Sequence, residues 1–443
     1  MTHYFGQSGG VIGGDVRVPG DKSISLRALL LGSIAEGPTH VRGFLESADT
    51  LGMVAALREL GVHVARQGGS KLLIHGVGAE GLAPASRPLD LGNSGAAMRL
   101  LAGLLAGQAF DSTLIGDASL MRRPMERVAA PLRQMNADVT TQNGLPPVVI
   151  KGGRALRAIE YELPVASAQV KSALLIAGLR ADGRTRVIEP TVTRDHTERL
   201  LRAFGVEVLR RERSVAVEGG QVLHGASLDV PGDFSSAAFF IVLGVLCAEK
   251  GLTLRNVGIN PTRTGLIDLL SRMGADIRVR PKAPLEGPNS GAEEPVAEPI
   301  ADIEVHASKL KAITVPESLV AACIDELPVF FIAASCAEGE TLVRGAHELR
   351  VKESDRLAAM AQGLGRLGVE HELLADGLWI RGGEGFSGGS VDSHGDHRVA
   401  MAFAIASARA SGPIEVRDVA NVATSFPGFV QTARSVGLQI EAL

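Results

Sequence analysis

Val18-Pro19-Gly20-Asp21-Lys22-Ser23-Ile24-Ser25-Leu26-Arg27 is the stretch from which the rest of this 443-residue chain can be read. The alternating run Gly14 to Val18 predicts a strand, Pro19-Gly20 breaks it, and Ala28-Leu29-Leu30-Leu31 continues as a helix. Lys22, Ser23 and Arg27 therefore fall at or near the first turn of a helix. The N–H groups there already carry partial positive charge, so cations sit badly unless an anion joins them. The plainer alternative is a Ser23 or Ser25 cap with solvated cations around it.

The stretch returns. Val230-Pro231-Gly232-Asp233-Phe234-Ser235-Ser236-Ala237 repeats the turn and is again followed by an apolar helix and a Gly-containing turn. The second helix of each copy ends alike, in Leu60-Gly61-Val62-His63-Val64 and in Met273-Gly274-Ala275-Asp276-Ile277. Within each copy a shorter unit recurs, with polar helix starts near Gly20, Gly92, Ser167, Gly232, Asp325 and Asp396, spaced by 72, 75, 65, 93 and 71 residues. The long interval holds Pro281 to Pro299, a Pro/Glu/Gly/Ala-rich excursion read as a surface insertion. Units of this length are too long for a solenoid repeat, so six of them predict a domain-level duplication in an α/β protein of two similar lobes. The expected division is 1–20 with 232–443 for lobe one, carrying the insertion 281–299, and 21–231 for lobe two. Two strands joining such lobes would act as a hinge, with substrates held in the cleft between them.

Composition narrows the function. Hydrophobic residues make up 45%, aromatics only 4%, and 53 glycines imply many tight turns. A net charge of −4 gives no bulk attraction for nucleic acid or an anionic membrane, so an anion site must be a local concentration of Arg and Lys. No apolar run is long enough for a membrane span, and Met1 to Gly6 lacks an export pattern. Cys247, Cys323 and Cys336 stand in apolar stretches without metal-ligand spacing and read as reduced thiols of a cytoplasmic protein.

The helix starts carry the chemistry. Gly92-Asn93-Ser94-Gly95 opens one helix, and Gly95 would let a ligand approach the backbone; a capped tight turn is the alternative. Arg122-Arg123-Pro124 puts two cations ahead of a proline expected at the first helical position. Ser167-Ala168-Gln169 offers hydrogen-bonding groups for a polyol or carboxylate. Arg194 precedes an expected Asp195/Glu198 capping pair, and His196 reads as a polar surface residue. In the second copy Asp325-Glu326 precedes an apolar helix, Lys352 and Arg356 are expected on one helix face beside Glu353, and Asp396-His397-Arg398 opens the last long helix. Solvated charged faces remain open for each alone.

Together these motifs resemble the 5-enolpyruvylshikimate-3-phosphate synthase (3-phosphoshikimate 1-carboxyvinyltransferase) family over nearly the whole chain. The likeness rests on Gly20-Asp21-Lys22-Ser23-x-Ser25-x-Arg27, Gly92-Asn93-Ser94-Gly95, Arg123-Pro124-Met125, Ser167-Ala168-Gln169, Arg194-Asp195-His196, Asp325-Glu326-x-Pro328, Lys352-Glu353-Ser354-Asp355-Arg356 and Asp396-His397-Arg398. It implies the enolpyruvyl transferase fold, inverse α/β barrel-like, with three βαβαββ units in each lobe. It implies transfer of the enolpyruvyl group of phosphoenolpyruvate to the 5-hydroxyl of shikimate 3-phosphate, in the shikimate pathway of aromatic amino-acid biosynthesis. Carried over by motif, Lys22, Ser23, Arg27, Ser167, Ala168, Gln169, Arg194, Asp325 and Lys352 would bind shikimate 3-phosphate. Lys22, Gly95, Arg123, Gln169, Arg356 and Arg398 would bind phosphoenolpyruvate. Asp325 would accept the hydroxyl proton, with Glu353 and Lys22 as proton-transfer partners. No metal, cofactor, nucleic acid or membrane partner is implied, and a monomer is expected. Glyphosate competes with phosphoenolpyruvate in this family, and Gly95 leaves it room.

The sequence departs from the family pattern at Ala96 and Leu100, at Leu26, and at Ala423, where a lysine is common just before Thr424-Ser425-Phe426-Pro427. Two rival functions follow from the same fold. A UDP-N-acetylglucosamine enolpyruvyl transferase would have Lys-Asn at the first motif and a reactive Cys near Arg123, where this chain has Lys22-Ser23 and no Cys. A non-catalytic anion-binding homologue would have no use for Asp325, Glu353 and Lys22 together.

Overall fold

The computed structural model describes residues 2–282, 297–383 and 385–443. These residues form two compact units. The first holds the described residues of Met1–Pro19, Pro231–Pro284 and Pro299–Leu443; the second is Gly20–Val230 with Ala297 and Glu298. The expectation for 281–299 is corrected at both of its described ends. Pro281 closes the strand Asp276–Pro281 and pairs with Ala301, while Ala297 and Glu298 belong with the second unit. Residues 283–296 of that stretch lie outside the described residues.

The six repeated units are visible as six sheets built on one plan. In the second unit, Glu36–Arg42 pairs parallel with Ser227–Asp229 and antiparallel with Lys71–Val77, which pairs antiparallel with His63–Gly68. The plan recurs around Ser112–Ile115 and again around Arg184–Ile188. In the first unit it recurs around Leu252–Gly258, whose parallel neighbour is Gly14–Val16. Around Gly339–Val343 the parallel partner shrinks to bridges from Lys311 and Thr314. In the sixth sheet Ile414–Arg417 pairs parallel with Gly389–Asp392, and Tyr4–Gln7 lies between Ile414–Arg417 and Gln439–Ala442. The sheets around Glu36–Arg42, Leu252–Gly258 and Ile414–Arg417 are each completed by a strand remote in sequence.

The apolar helices Lys22–Ser33, Gly95–Leu105, Ala168–Gly178, Phe234–Cys247, Leu327–Ser335 and His397–Ala406 bury nearly all round. Every residue from Phe234 to Val245 in the helix Phe234–Cys247 is buried, which explains why its sequence shows no polar stripe. Each unit has its own apolar core. Phe240, Phe330, Phe331, Phe403, Phe426 and Phe429 are among the largest side chains of the first. Leu and Val dominate the second, with Leu26, Leu101, Leu174 and Leu201 fully buried. Each such side chain contributes about 1.5–3 kcal/mol on leaving water.

Five of the six predicted polar helix starts hold a side-chain N-cap; at the sixth, after Asp325, Glu326 stands at the N-cap without a side-chain bond. Asp21 accepts from Ile24 N at 2.9 Å, Ser94 from Ala97 N at 3.3 Å and Ser167 from Val170 N at 3.4 Å. In the first unit Asp233 accepts from Ser235 N at 3.0 Å and Asp396 from Arg398 N at 2.9 Å. The cap of the first helix is thus Asp21 rather than a serine, which leaves Ser23 inside the first turn. The first of the two turns requires glycine for a steric reason: a Cβ on Gly20 would stand 1.8 Å from the Gly43 carbonyl oxygen. Pro124 is not the first residue of a helix; a 3-10 turn Leu120–Arg122 precedes it and the helix Glu126–Gln134 starts two residues later.

Candidate active site

In the second unit, the cluster forms where four helices start. Arg27, on the helix Lys22–Ser33, is 3% exposed and holds three oxygens. Its Nε donates to Thr197 Oγ1 at 2.7 Å, Nη2 to Ser172 Oγ at 2.9 Å and Nη1 to the Ser23 carbonyl at 3.0 Å. Burial pulls its pKa down to about 10, with Glu198 and Asp21 opposing the fall, so it keeps its charge at neutral pH. Lys22 Nζ lies 3.2 Å from the buried Asp49 carboxylate. Arg123 is buried and donates to the Asn93 carbonyl at 3.2 Å, beside Gly95 at the start of the helix Gly95–Leu105. Gln169, one residue inside the helix Ala168–Gly178, accepts from Arg99, which also donates to the Pro124 carbonyl at 3.0 Å.

Arg194 sits on the loop between the strand Arg184–Ile188 and the helix His196–Ala203. Two expectations fail here. Asp195 stands at the N-cap without a side-chain cap bond, because its carboxylate pairs with Arg199 at 3.1 Å and Arg210 at 3.2 Å. Glu198 is wholly buried against Lys171, and His196 is 1% exposed with Nδ1 2.6 Å from Glu298 rather than a surface group.

In the first unit, Asp325 precedes the helix Leu327–Ser335 and three cations surround it. Its Oδ1 is 3.3 Å from Lys352 Nζ and 3.3 Å from Arg356 Nη1, and its Oδ2 is 3.9 Å from Arg398 Nη2. Arg398 also donates to the Asp325 carbonyl at 3.0 Å. Arg356 reaches Glu353 at 2.6 Å and Asp396 at 2.7 Å. Burial opposes its charge, but Asp396, Glu353 and Asp325 outweigh that cost and raise its pKa. Lys352 does not share a helix with Arg356 as expected: it follows the 3-10 turn His347–Val351, and the helix begins at Arg356. The shared carboxylate brings them together instead. Arg398 also lies 3.9 Å from Glu326, so every cation of this cluster faces a carboxylate while retaining directional donors for an anion.

Sequence and structure comparisons give the family. Residues 7–433 match the family described as EPSP synthase (3-phosphoshikimate 1-carboxyvinyltransferase). The chain is 55% identical over 434 residues to the 3-phosphoshikimate 1-carboxyvinyltransferase of Methylococcus capsulatus, covering 98% of this chain and 97% of that protein. This chain belongs to the EPSP synthase family. Among solved structures it is similar to EPSP synthase from Acinetobacter baumannii, with a TM-score of 0.87, 47% identity and 100% of both chains covered. The enolpyruvyl transferase NikO from Streptomyces tendae shares the fold at 18% identity, with a TM-score of 0.79 over 100% of this chain and 99% of that one. The mixed α/β enolpyruvyl transferase fold expected from the motifs is the fold observed.

Membership sharpens what the residues around the motifs do. The cysteines all lie in the first unit, away in sequence from Arg123, and burial pushes Cys247 up to about 11 and Cys336 up to about 12. Thiols held so high are poor nucleophiles at neutral pH. Ala423 is exposed on the 3-10 turn Ala420–Thr424. Four groups had no assigned role in the sequence reading: Ser172 and Thr197, which hold Arg27, Arg99, which holds Gln169, and Asp49, which holds Lys22. Ser172, Thr197 and Arg99 lie close to a flagged motif, whereas Asp49 stands 22 residues beyond Arg27 with no local signal. No one-dimensional pattern says that two hydroxyls 25 residues apart meet on one guanidinium. Among the described residues no single helix is long and apolar enough to cross a membrane.

Proposed function

We propose that this chain transfers the enolpyruvyl group of phosphoenolpyruvate to the 5-hydroxyl of shikimate 3-phosphate and releases phosphate. The observation that carries the reading is Asp325, a carboxylate held at 3.3 Å by both Lys352 and Arg356 at the start of an apolar helix. Both substrates are multiply charged anions, and their mutual repulsion must be offset by fixed cations. Ser23, Arg27, Ser167, Ala168, Gln169 and Arg194, with Asp325 and Lys352, would bind shikimate 3-phosphate. Lys22, Gly95, Arg123 and Gln169, with Arg356 and Arg398, would bind phosphoenolpyruvate.

The chemistry then divides between a base and an acid. Asp325 takes the proton of the 5-hydroxyl as that oxygen bonds to the substituted enol carbon. Lys22 or Glu353 delivers a proton to the methylene carbon, making a methyl group and a tetrahedral intermediate. The methyl then returns a proton, the double bond re-forms, and the C–O bond to phosphate breaks. The incoming anions compete for Lys352, Arg356 and Arg398, which frees the Asp325 oxygen to act as a base. No step requires a covalent bond to the enzyme.

An assay of phosphate release tests the reading. Release from phosphoenolpyruvate is expected only with shikimate 3-phosphate; equal release with UDP-N-acetylglucosamine, or none with either, overturns it. Asp325→Ala is expected to lower kcat by on the order of 10²–10⁴ while changing shikimate 3-phosphate binding far less. A near-normal kcat removes Asp325 as the base.

A further inference from the structure

Beneath Arg27 and the Arg194 loop lies a set of buried charges to which the proposed reaction assigns nothing. Lys171 is 1% exposed, Glu189 2% and Glu198 0%, and their charged groups meet one another rather than solvent. Lys171 Nζ lies 3.0 Å from Glu189 Oε2 and 2.7 Å from Glu198 Oε1, and approaches the Thr193 carbonyl at 3.4 Å. The other oxygen of Glu189 accepts from the Thr193 amide at 3.1 Å and from the Thr193 hydroxyl. The residue immediately before Arg194 is therefore held through its amide, its hydroxyl and its carbonyl. Lys171 also adjoins Ser172, and Glu198 adjoins Thr197, in sequence. Those are the two hydroxyls that receive Arg27, and they are 2.6 Å apart.

Two observations separate this network from ordinary packing. One lysine cannot balance two carboxylates; the second positive charge is Arg27, for which Glu198 is the largest electrostatic support. The fold itself does not ask for a lysine here. Counted from the N-caps Ser167 and Asp396, the duplicate of Lys171-Ser172 is Ala400-Met401, which is fully buried and apolar in the first unit. Buried ion pairs are weak sources of stability compared with apolar packing, and what they add is a fixed geometry.

We propose that Lys171, with Glu189 and Glu198, is a positioning residue for shikimate 3-phosphate: it fixes the loop that presents Arg194 and the hydroxyls that aim Arg27. The inference rests on the assignment of Arg27 and Arg194 to that substrate. Its test is steady-state kinetics in both substrates, with calorimetric titration of shikimate 3-phosphate. The charge-balanced variant Lys171→Met with Glu189→Gln is expected to raise KM for shikimate 3-phosphate by about tenfold or more. Its KM for phosphoenolpyruvate and its kcat are expected to stay within about threefold of the parent.

Thr193→Val leaves every buried charge in place and removes one tether. It is expected to give about a threefold rise in the same KM alone, and decides the question if the double variant does not fold. A folded variant with an unchanged KM for shikimate 3-phosphate, or one in which both KM values rise together, overturns the positioning role. If the unmodified protein gives no heat with shikimate 3-phosphate, the substrate assignment itself falls, and the inference with it; heat from the unmodified protein and equal heat from the variant defeats only the inference.

Discussion

A methyl group on Gly95 would stand 2.7 Å from Arg123 Nη1, 3.2 Å from its Cζ and 3.4 Å from Arg99 Nη1. The guanidinium can move, but only by stretching its bond to the Asn93 carbonyl and leaving the place where it would meet an anion. Gly95→Ala is therefore expected to raise KM for phosphoenolpyruvate by about tenfold and to weaken glyphosate inhibition at least as much, with shikimate 3-phosphate binding little changed. Inhibition curves on the two proteins check this, and equal glyphosate sensitivity would refute the steric account. At this scale the sequence showed which side chains stand at helix starts but not their partners. Arg356 was legible as a cation; that it bonds Asp325, Glu353 and Asp396 together was not, because those carboxylates come from separate elements. Glu198 looked like half of a capping box because its spacing from Asp195 is correct; burial beside Lys171 claimed it instead.

A strand of the first unit shows how a local irregularity is held. The pairing of Leu252–Gly258 with Ile300–His306 shifts register between Leu254 and Val257, and Asn256 adopts a left-handed φ of 56° there. Asp302 on the facing strand accepts from Asn256 N at 2.8 Å and pairs with Lys282 at 2.8 Å and Arg255 at 3.0 Å. Burial pushes its pKa up, but the Lys282, Asn256 and Arg255 contacts outweigh this and hold it at about 2. A carboxylate held below its unfolded value of about 4 stabilises the fold at neutral pH, and that contribution fades as pH falls from about 4 to about 2. Asp302→Asn keeps the acceptor for Asn256 and loses the charge. It is expected to cost about 1–2 kcal/mol at pH 7 by denaturant titration. The gap between the two proteins should close by about pH 2; a constant gap would assign the loss to packing. Elements themselves were largely legible, since the repeated polar-to-apolar switch marks each long helix. The errors at Pro124 and Lys352 have one cause: short 3-10 turns precede both helices, and they have no period that a sequence pattern can reveal.

The two cores share no residue: one is built from residues 4–440 on either side of the second unit, the other from residues 24–230. Phe240→Ala is expected to cost about 3–5 kcal/mol and to speed hydrogen exchange in the first unit while leaving the second near its original rates. Leu101→Ala should do the converse, and uniform acceleration by either would show that the cores unfold as one. The duplication was legible from the Pro-Gly-Asp turns alone. Which strands close which sheet was not, because pairing between residues hundreds of positions apart leaves no local mark.

That pairing carries a temporal consequence. The second unit is nearly contiguous, though its first sheet is complete only once Ser227–Asp229 reaches Glu36–Arg42. Tyr4–Gln7 waits longer: it is made hundreds of residues before Ile414–Arg417 and Gln439–Ala442, with which it pairs. At ~5–20 residues per second the early strand waits on the order of tens of seconds for both neighbours. Throughout that wait it is an unpaired β-edge, open to capture by another nascent chain or a chaperone. Only four residues long and half exposed in pattern, it is poorly suited to such capture, so its brevity protects the chain during synthesis.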